Sequence, residues 1–143
     1  MFDSAVAATP ELDEATFQRV KILYEQGRFV QAYRAAEPLG KFSQWPGIEG
    51  RLLGARLASQ LGADRFGDAL TLRTFRAHPR HPQAVLYGTM ALNSSRGAVL
   101  AIDALEQNEQ TLQQDPVVYA DAIAFKAWLY AVLRDFALAA HFI

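Results

Sequence analysis

Residues 23–36 read LYEQGRFVQAYRAA. Leu23 and Tyr24 close one apolar run of helical period, and Phe29, Ala32, Tyr33 and Ala36 open another at i, i+3, i+4, i+7 spacing. Gly27 stands between them. A left-handed helix C-cap favours glycine because it has no Cβ to clash. The stretch predicts one helix ending, a tight turn, and a second helix folding back on the first.

The same punctuation recurs along the chain. Gly27, Gly62 and Gly97 are spaced 35 and 35, each at the end of an apolar-periodic run. Pro10, Pro46, Pro82 and Pro116 are spaced 36, 36 and 34, each ahead of a helix-forming run. Proline suits the first turn of a helix, where its missing N–H has no partner in any case. Two independent marks sharing one period point to an internal repeat. Between the marks the chain reads as four helix pairs: 11–26 with 29–39, 47–61 with 65–77, 83–94 with 98–113, and 117–133 with 135–143. Their apolar stripes include Phe17, Val20 and Tyr24 in the first pair, and Leu53, Leu57 and Leu61 facing Phe66, Ala69, Leu70 and Leu72 in the second. In the third, Leu86, Met90 and Ala91 face Ala101, Ile102 and Leu105. No segment alternates as a strand does. The expected fold is all-α, a stack of antiparallel helical hairpins with about 7–8 helices. It forms a single domain over 1–143, with repeats at roughly 10–45, 46–81 and 82–115 and a partial one at 116–143.

Composition narrows the function. A chain of 143 residues, 51% hydrophobic and 20% charged, is long and apolar enough to bury a core. The net charge of −1 gives no overall attraction to nucleic acid or to an anionic membrane. Charge is uneven: residues 48–82 carry six arginines against Glu49, Asp64 and Asp68, whereas 100–143 carry Lys126 and Arg134 against six acids. There is no cysteine, which excludes disulfides, thiolate catalysis and cysteine metal sites. The acidic start, MFDSAVAATPELDE, lacks the basic segment and apolar run of a secretory signal. The apolar stretch 122–133 is broken by Lys126 and too short to span a bilayer. A cytoplasmic protein without a membrane partner is expected.

The run EQGRFVQAYRAA resembles the second half of a tetratricopeptide repeat (TPR). There a glycine turn precedes an aromatic and then a small alanine that lets two helices approach. The aromatic and alanine recur as Phe29/Ala32, Phe66/Ala69 and Phe136/Ala139, while the third unit has Leu100/Ala101 instead. The first half of the family pattern, W-x-x-L-G-x-x-Y, is matched best by Gly50, Leu53, Gly54 and Leu57, and less well by Ile123, Lys126, Ala127 and Tyr130. Unit one departs from it, with Thr16, Arg19, Val20 and Leu23 at those places. The family's terminal proline is matched in HPRHP (78–82) and at Asp115-Pro116. The resemblance spans nearly the whole chain through degenerate motifs, and another antiparallel helical bundle is the alternative. It implies that the first helix of each pair lines a concave face. The exposed positions there would include Gln18, Lys21, Arg51, Ala55, Tyr87, Ala91, Phe125 and Trp128, able to take an extended or helical peptide. The plainer reading of those aromatics is core packing. Trp45, just before Pro46, would be a loop aromatic covering the first interface.

Other candidates have plainer explanations. Arg73, Arg76 and Arg80 run at helical spacing, but with no aromatic interleaving they read as a solvated face, and nucleic acid is not expected as a partner. His78 and His81 lack further metal ligands nearby and read as a proline-bound turn. Gly47, Gly50 and Gly54 lack the lysine and Ser/Thr of a phosphate loop and read as close helix packing. The segment Ile48-Glu49-Gly50-Arg51 resembles a coagulation-protease cleavage site only by chance. Glu106, Glu109 and Asp115, around the glutamine-rich run 107–114, read as a solvated helix end. Ser94 and Ser95 have no base in register. No catalytic residue, cofactor or metal is therefore expected.

The function expected is a non-catalytic protein–protein interaction module that binds a peptide or partner protein, with Gln18, Lys21, Arg51, Tyr87, Phe125 and Trp128 as contact residues. In size and fold it resembles the small TPR chaperones of bacterial secretion systems. The alternative is an amino-terminal regulatory or scaffolding domain of a longer polypeptide, whose catalytic or DNA-binding part lies beyond residue 143. The short final helix, ending in apolar Phe142 and Ile143, suggests such a continuation or self-association through the C-terminal helix. With Phe29 buried at the seam between helices, Phe29→Ala is expected to cost roughly 3–5 kcal/mol.

Overall fold

Pro10 opens the first helix, and the computed structural model describes residues 10–141 from that point. Every regular element among the described residues is helical. Helix α1 (Pro10–Glu25) is followed by α2 (Phe29–Ala35) and two 3₁₀ turns, η1 (Glu37–Leu39) and η2 (Phe42–Gln44). Then come α3 (Gly47–Gln60), α4 (Asp64–Ala77), α5 (Pro82–Arg96), α6 (Ala98–Gln107), α7 (Glu109–Leu112), α8 (Pro116–Val132) and α9 (Phe136–His141). The all-α reading holds. Pro10, Pro82 and Pro116 each stand first in a helix, and Pro46 stands one place earlier, as the N-cap of α3.

The glycine turns between helices at 27, 62 and 97 divide into two arrangements. Gly27 has φ 75°, and its N–H donates to the Tyr24 carbonyl while that of Arg28 donates to Leu23, both at 2.9 Å. Gly62 repeats the pattern at φ 98°: its N–H reaches Ser59 at 3.0 Å, and that of Ala63 reaches Ala58 at 2.9 Å. This paired arrangement satisfies the last carbonyls of a helix and requires the positive φ. Gly97 departs from the expected left-handed cap. At φ 97° and ψ 169° it caps α5 and starts α6 with no spacer, in a backbone region that essentially only glycine enters. After α8 the paired arrangement returns without glycine. Arg134 has φ 63°, its N–H donates to Ala131 at 2.9 Å, and that of Asp135 donates to Tyr130 at 2.8 Å.

Two helices are shorter than expected. The run 29–39 leaves α-helix after Ala35 because Pro38, inside η1, lacks an N–H and disfavours helical geometry at Glu37. The run 98–113 breaks at Asn108, whose side-chain amide donates to the Ala104 carbonyl at 2.8 Å and so competes with the backbone ladder.

The chain divides into two compact units, Met1–Leu70 and Thr71–Ile143, with the boundary inside α4. The core of the first unites Phe17 and Val20 of α1, Ala32 and Ala36, Leu39, Trp45, and Leu53 and Leu57 of α3. Trp45 is only 1% exposed, and its indole N–H donates to the Gly40 carbonyl at 3.2 Å. It is a loop residue that is also part of the core. A Cβ on Gly50 would sit 3.1 Å from the Trp45 carbonyl carbon, and one on Gly54 would sit 3.1 Å from the Phe42 carbonyl oxygen. These glycines therefore seat the segment 42–46 on α3; the close approach expected between helices is made to the η2 turn.

The repeated aromatic/alanine pair does not behave uniformly. Ala32 is buried, whereas Phe29 is half-buried with its ring 5.3 Å from that of Tyr24. On α4, Phe66 and Ala69 are both exposed, and the buried face is Gly67, Leu70, Thr71 and Thr74. Gly67 lies against Ser59 and the Ala55 carbonyl, so the smallest residue marks the close approach. In the second unit Ala101 is buried and Leu100 exposed. Ala139 is buried; the side chain of Phe136, and Phe142 and Ile143 at the expected pairing end, lie outside the described residues.

The second core gathers Val85 and Leu86 of α5, Ala101, Ile102 and Leu105 of α6, Leu112, and Val118, Ala122 and Leu129 of α8. Phe75 packs against it, its ring laid on Gly88, where any Cβ would collide with it. Lys126 is buried and pairs with Glu106 at 3.2 Å.

Three substitutions check this packing by denaturant unfolding. Trp45→Ala should cost about 3–5 kcal/mol. Phe29→Ala should cost less, about 1–2 kcal/mol, because part of that side chain is already in water. Arg134→Gly should stabilise by about 1 kcal/mol, by removing the Cβ from a left-handed position.

Candidate functional site

The six contact residues expected from the sequence are divided between the units. In the first, Gln18 is exposed on α1 and donates to Glu14 Oε2 at 3.2 Å. Lys21 joins α1 to α3 through Nζ to Glu49 Oε1 at 2.9 Å. That hydrogen bond, with the coulombic pull of the same carboxylate, raises the lysine above its ordinary value of 10.5. Arg51 is half-buried on α3. In the second unit Tyr87 is half-buried on α5, and Phe125 packs against the core. Trp128 is 53% exposed, and its ring stacks on Phe125 at 5.9 Å with an interplanar angle of 16°. Ala55 and Ala91, expected on the exposed face, are both buried. Each belongs to the core face of its helix, and the Ala55 backbone meets Gly67.

Several polar candidates hold helix ends or cross-links. His81 Nδ1 accepts from the Ala84 N–H at 3.3 Å and caps α5. Asp115 Oδ1 accepts from the N–H groups of Val117 and Val118 at 3.0 and 3.3 Å and caps α8. Glu109 accepts from the Tyr119 hydroxyl at 3.5 Å, and Ser95 donates to the Ala91 carbonyl at 2.7 Å. Arg73, Arg76 and Arg80 are exposed. Among the described residues no group of three or more His, Cys, Asp or Glu side chains is placed to hold a metal ion. No described helix is long and apolar enough to cross a membrane.

The concave feature that the structure adds is a hollow of about 780 Å³ in the first unit. It exists because α2 stops early. The chain then swings through two 3₁₀ turns about Gly40, held at φ 78° and ψ −153°, and brings Phe42 back beside α2. Phe42 is central: its ring lies 5.9 Å from Tyr33, 5.3 Å from Trp45 and 6.0 Å from Phe66. Tyr33 and Phe66 form the walls, and Arg34, Glu37 and Lys41 stand among the lining residues. Arg34 and Lys41 make no ion pair among the described residues. The hollow can bury an apolar group beside positive charge. Its rings come from α2, η2 and its C-cap, and α4, so no helical period links them. The local signal for it is the run EPLGKFSQW (37–45), where Pro38 and Gly40 interrupt the helical period.

No family model, curated protein or solved structure matches the chain.

The Lys21–Glu49 pair gives a pH-dependent check. The raised lysine contributes stability that is fully present below its unfolded value and is lost as pH rises through the folded one. Both side chains are well exposed (39% and 54%), so Glu49→Gln should cost less than about 1 kcal/mol at neutral pH. The difference from wild type in urea midpoints should close as pH rises through the raised lysine value.

Proposed function

We propose that the chain is a non-catalytic protein-interaction module, a helical-repeat domain similar to TPR, which holds a peptide or a partner protein. The observation that carries this reading is the aromatic hollow of the first unit. Tyr33 and Phe66 keep 54% and 46% of their surface in water although each flanks Phe42. Rings left open around a concavity offer apolar area that a partner can cover, and aromatic side chains give much contact for little lost conformational freedom. A volume of about 780 Å³ suits one bulky side chain and its neighbours. The repeat character is supported by the two equivalent helix-ending turns at Gly27 and Gly62 and by buried Ala32 and Ala101. Lys21 and Arg51 extend the contact surface in this reading, and Trp128 with Phe125 offers a second apolar contact on α8.

A phage-displayed library of random dodecamers, selected on the whole chain, tests it. Selected peptides should bind wild type and lose about tenfold or more on Phe66→Ala or Tyr33→Ala, both exposed positions where folding is retained. A selection that returns no peptide sensitive to either change, or to Lys21/Arg51 charge reversal, removes the proposal.

A further inference from the structure

Resting on that reading, we infer that the hollow recognises an acidic peptide anchor: one aromatic or leucine side chain set against Tyr33, Phe42 and Phe66, with carboxylates beside it on Arg34 and Lys41. The rings fix the apolar half of this occupant. Phe42 meets its neighbours at tilted angles of 44° to 49° rather than in a flat stack. A further ring or a branched aliphatic group can therefore find edge and face contacts together. The floor is rigid, because Trp45 is buried, bonded to Gly40 and seated on Gly50.

Charge fixes the other half. Arg34 and Lys41 are exposed at the hollow, and neither is neutralised by an ion pair among the described residues. Glu37 is the one acidic side chain in the lining. An aromatic enclosure for a cationic ligand needs the opposite arrangement, with carboxylates near the rings and no competing cations. A carboxylate beside the anchor would enter a partly desolvated position, where attraction to a guanidinium exceeds that in bulk water. Arginine also offers a planar fork matched to a carboxylate. Complementary charge then selects among peptides with equally good apolar anchors.

Three synthetic peptides, each with an N-terminal fluorophore, decide the matter by fluorescence anisotropy on the whole chain: GSDDFDDSG, GSKKFKKSG and GSDDADDSG. The first should bind about tenfold or more tightly than either of the others, and more weakly as salt rises. The Arg34→Glu/Lys41→Glu variant, whose changes are at exposed positions, should reverse the order of the two phenylalanine peptides. If those two bind wild type alike and both are lost on Phe66→Ala, the acidic preference is wrong while the hollow remains a peptide site. If no peptide depends on Phe66, the acidic-anchor inference fails, whereas the broader reading falls only with the library selection. A concentration-dependent dimer in sedimentation, abolished by Phe66→Ala, would instead make a second copy the occupant and overturn the inference.

Discussion

The backbone and Cβ of Trp45 lie against α3 at the place where Gly50 carries no side chain, while its indole is buried and donates its N–H to the Gly40 carbonyl. Much of the first unit depends on this contact. It anchors the end of the irregular segment that follows α2, alongside the apolar holds at Leu39 and Phe42. Burying so large a ring is among the strongest single contributions a small core can receive, and the hydrogen bond removes the penalty for its polar atom. With Trp45 and Gly54 fixing the segment 42–46, Phe42 is placed beside Tyr33 and Phe66, and the hollow follows. Stability and the candidate binding surface thus rest on the same few side chains.

The turns show how one geometrical demand is met with different residues. A helix that must reverse in two residues needs positive φ and must satisfy its last carbonyls. Gly27 and Gly62 do this without strain. Arg134 does it with the same two hydrogen bonds and the cost of a Cβ in the left-handed region. Gly97 meets a harder demand, joining two helices through a single residue. The regular spacing of the glycines conceals that difference.

Polar residues near the helix ends mostly serve the fold. His81 and Asp115 cap helices that begin with proline, and Lys126 is buried against Glu106. Only the lysine is buried, while Glu106 keeps 51% of its side chain in water, so the pair links α6 to α8 by bringing a carboxylate to a cation that burial would otherwise leave alone. Arg34 and Lys41 have no such task among the described residues, which is why their place beside exposed rings carries meaning.

What the sequence by itself determined was local. Glycine and proline set where helices start and reverse, because φ preferences act within one or two residues. Apolar periodicity gave the all-α class and nearly every helix boundary, the errors falling at Pro38 and Asn108. Which face of each helix became buried was decided by tertiary packing. On α4 the aromatic/alanine pair at 66 and 69 stays in solvent, while Gly67 and Leu70 turn inward. A one-residue change of register rotates a helix by about 100°, and only the partner surface can choose between such registers. The hollow was illegible for the same reason. Its rings at 33, 42, 45 and 66 share no period, and they meet only after α2 has ended early and Trp45 has found the space above Gly50.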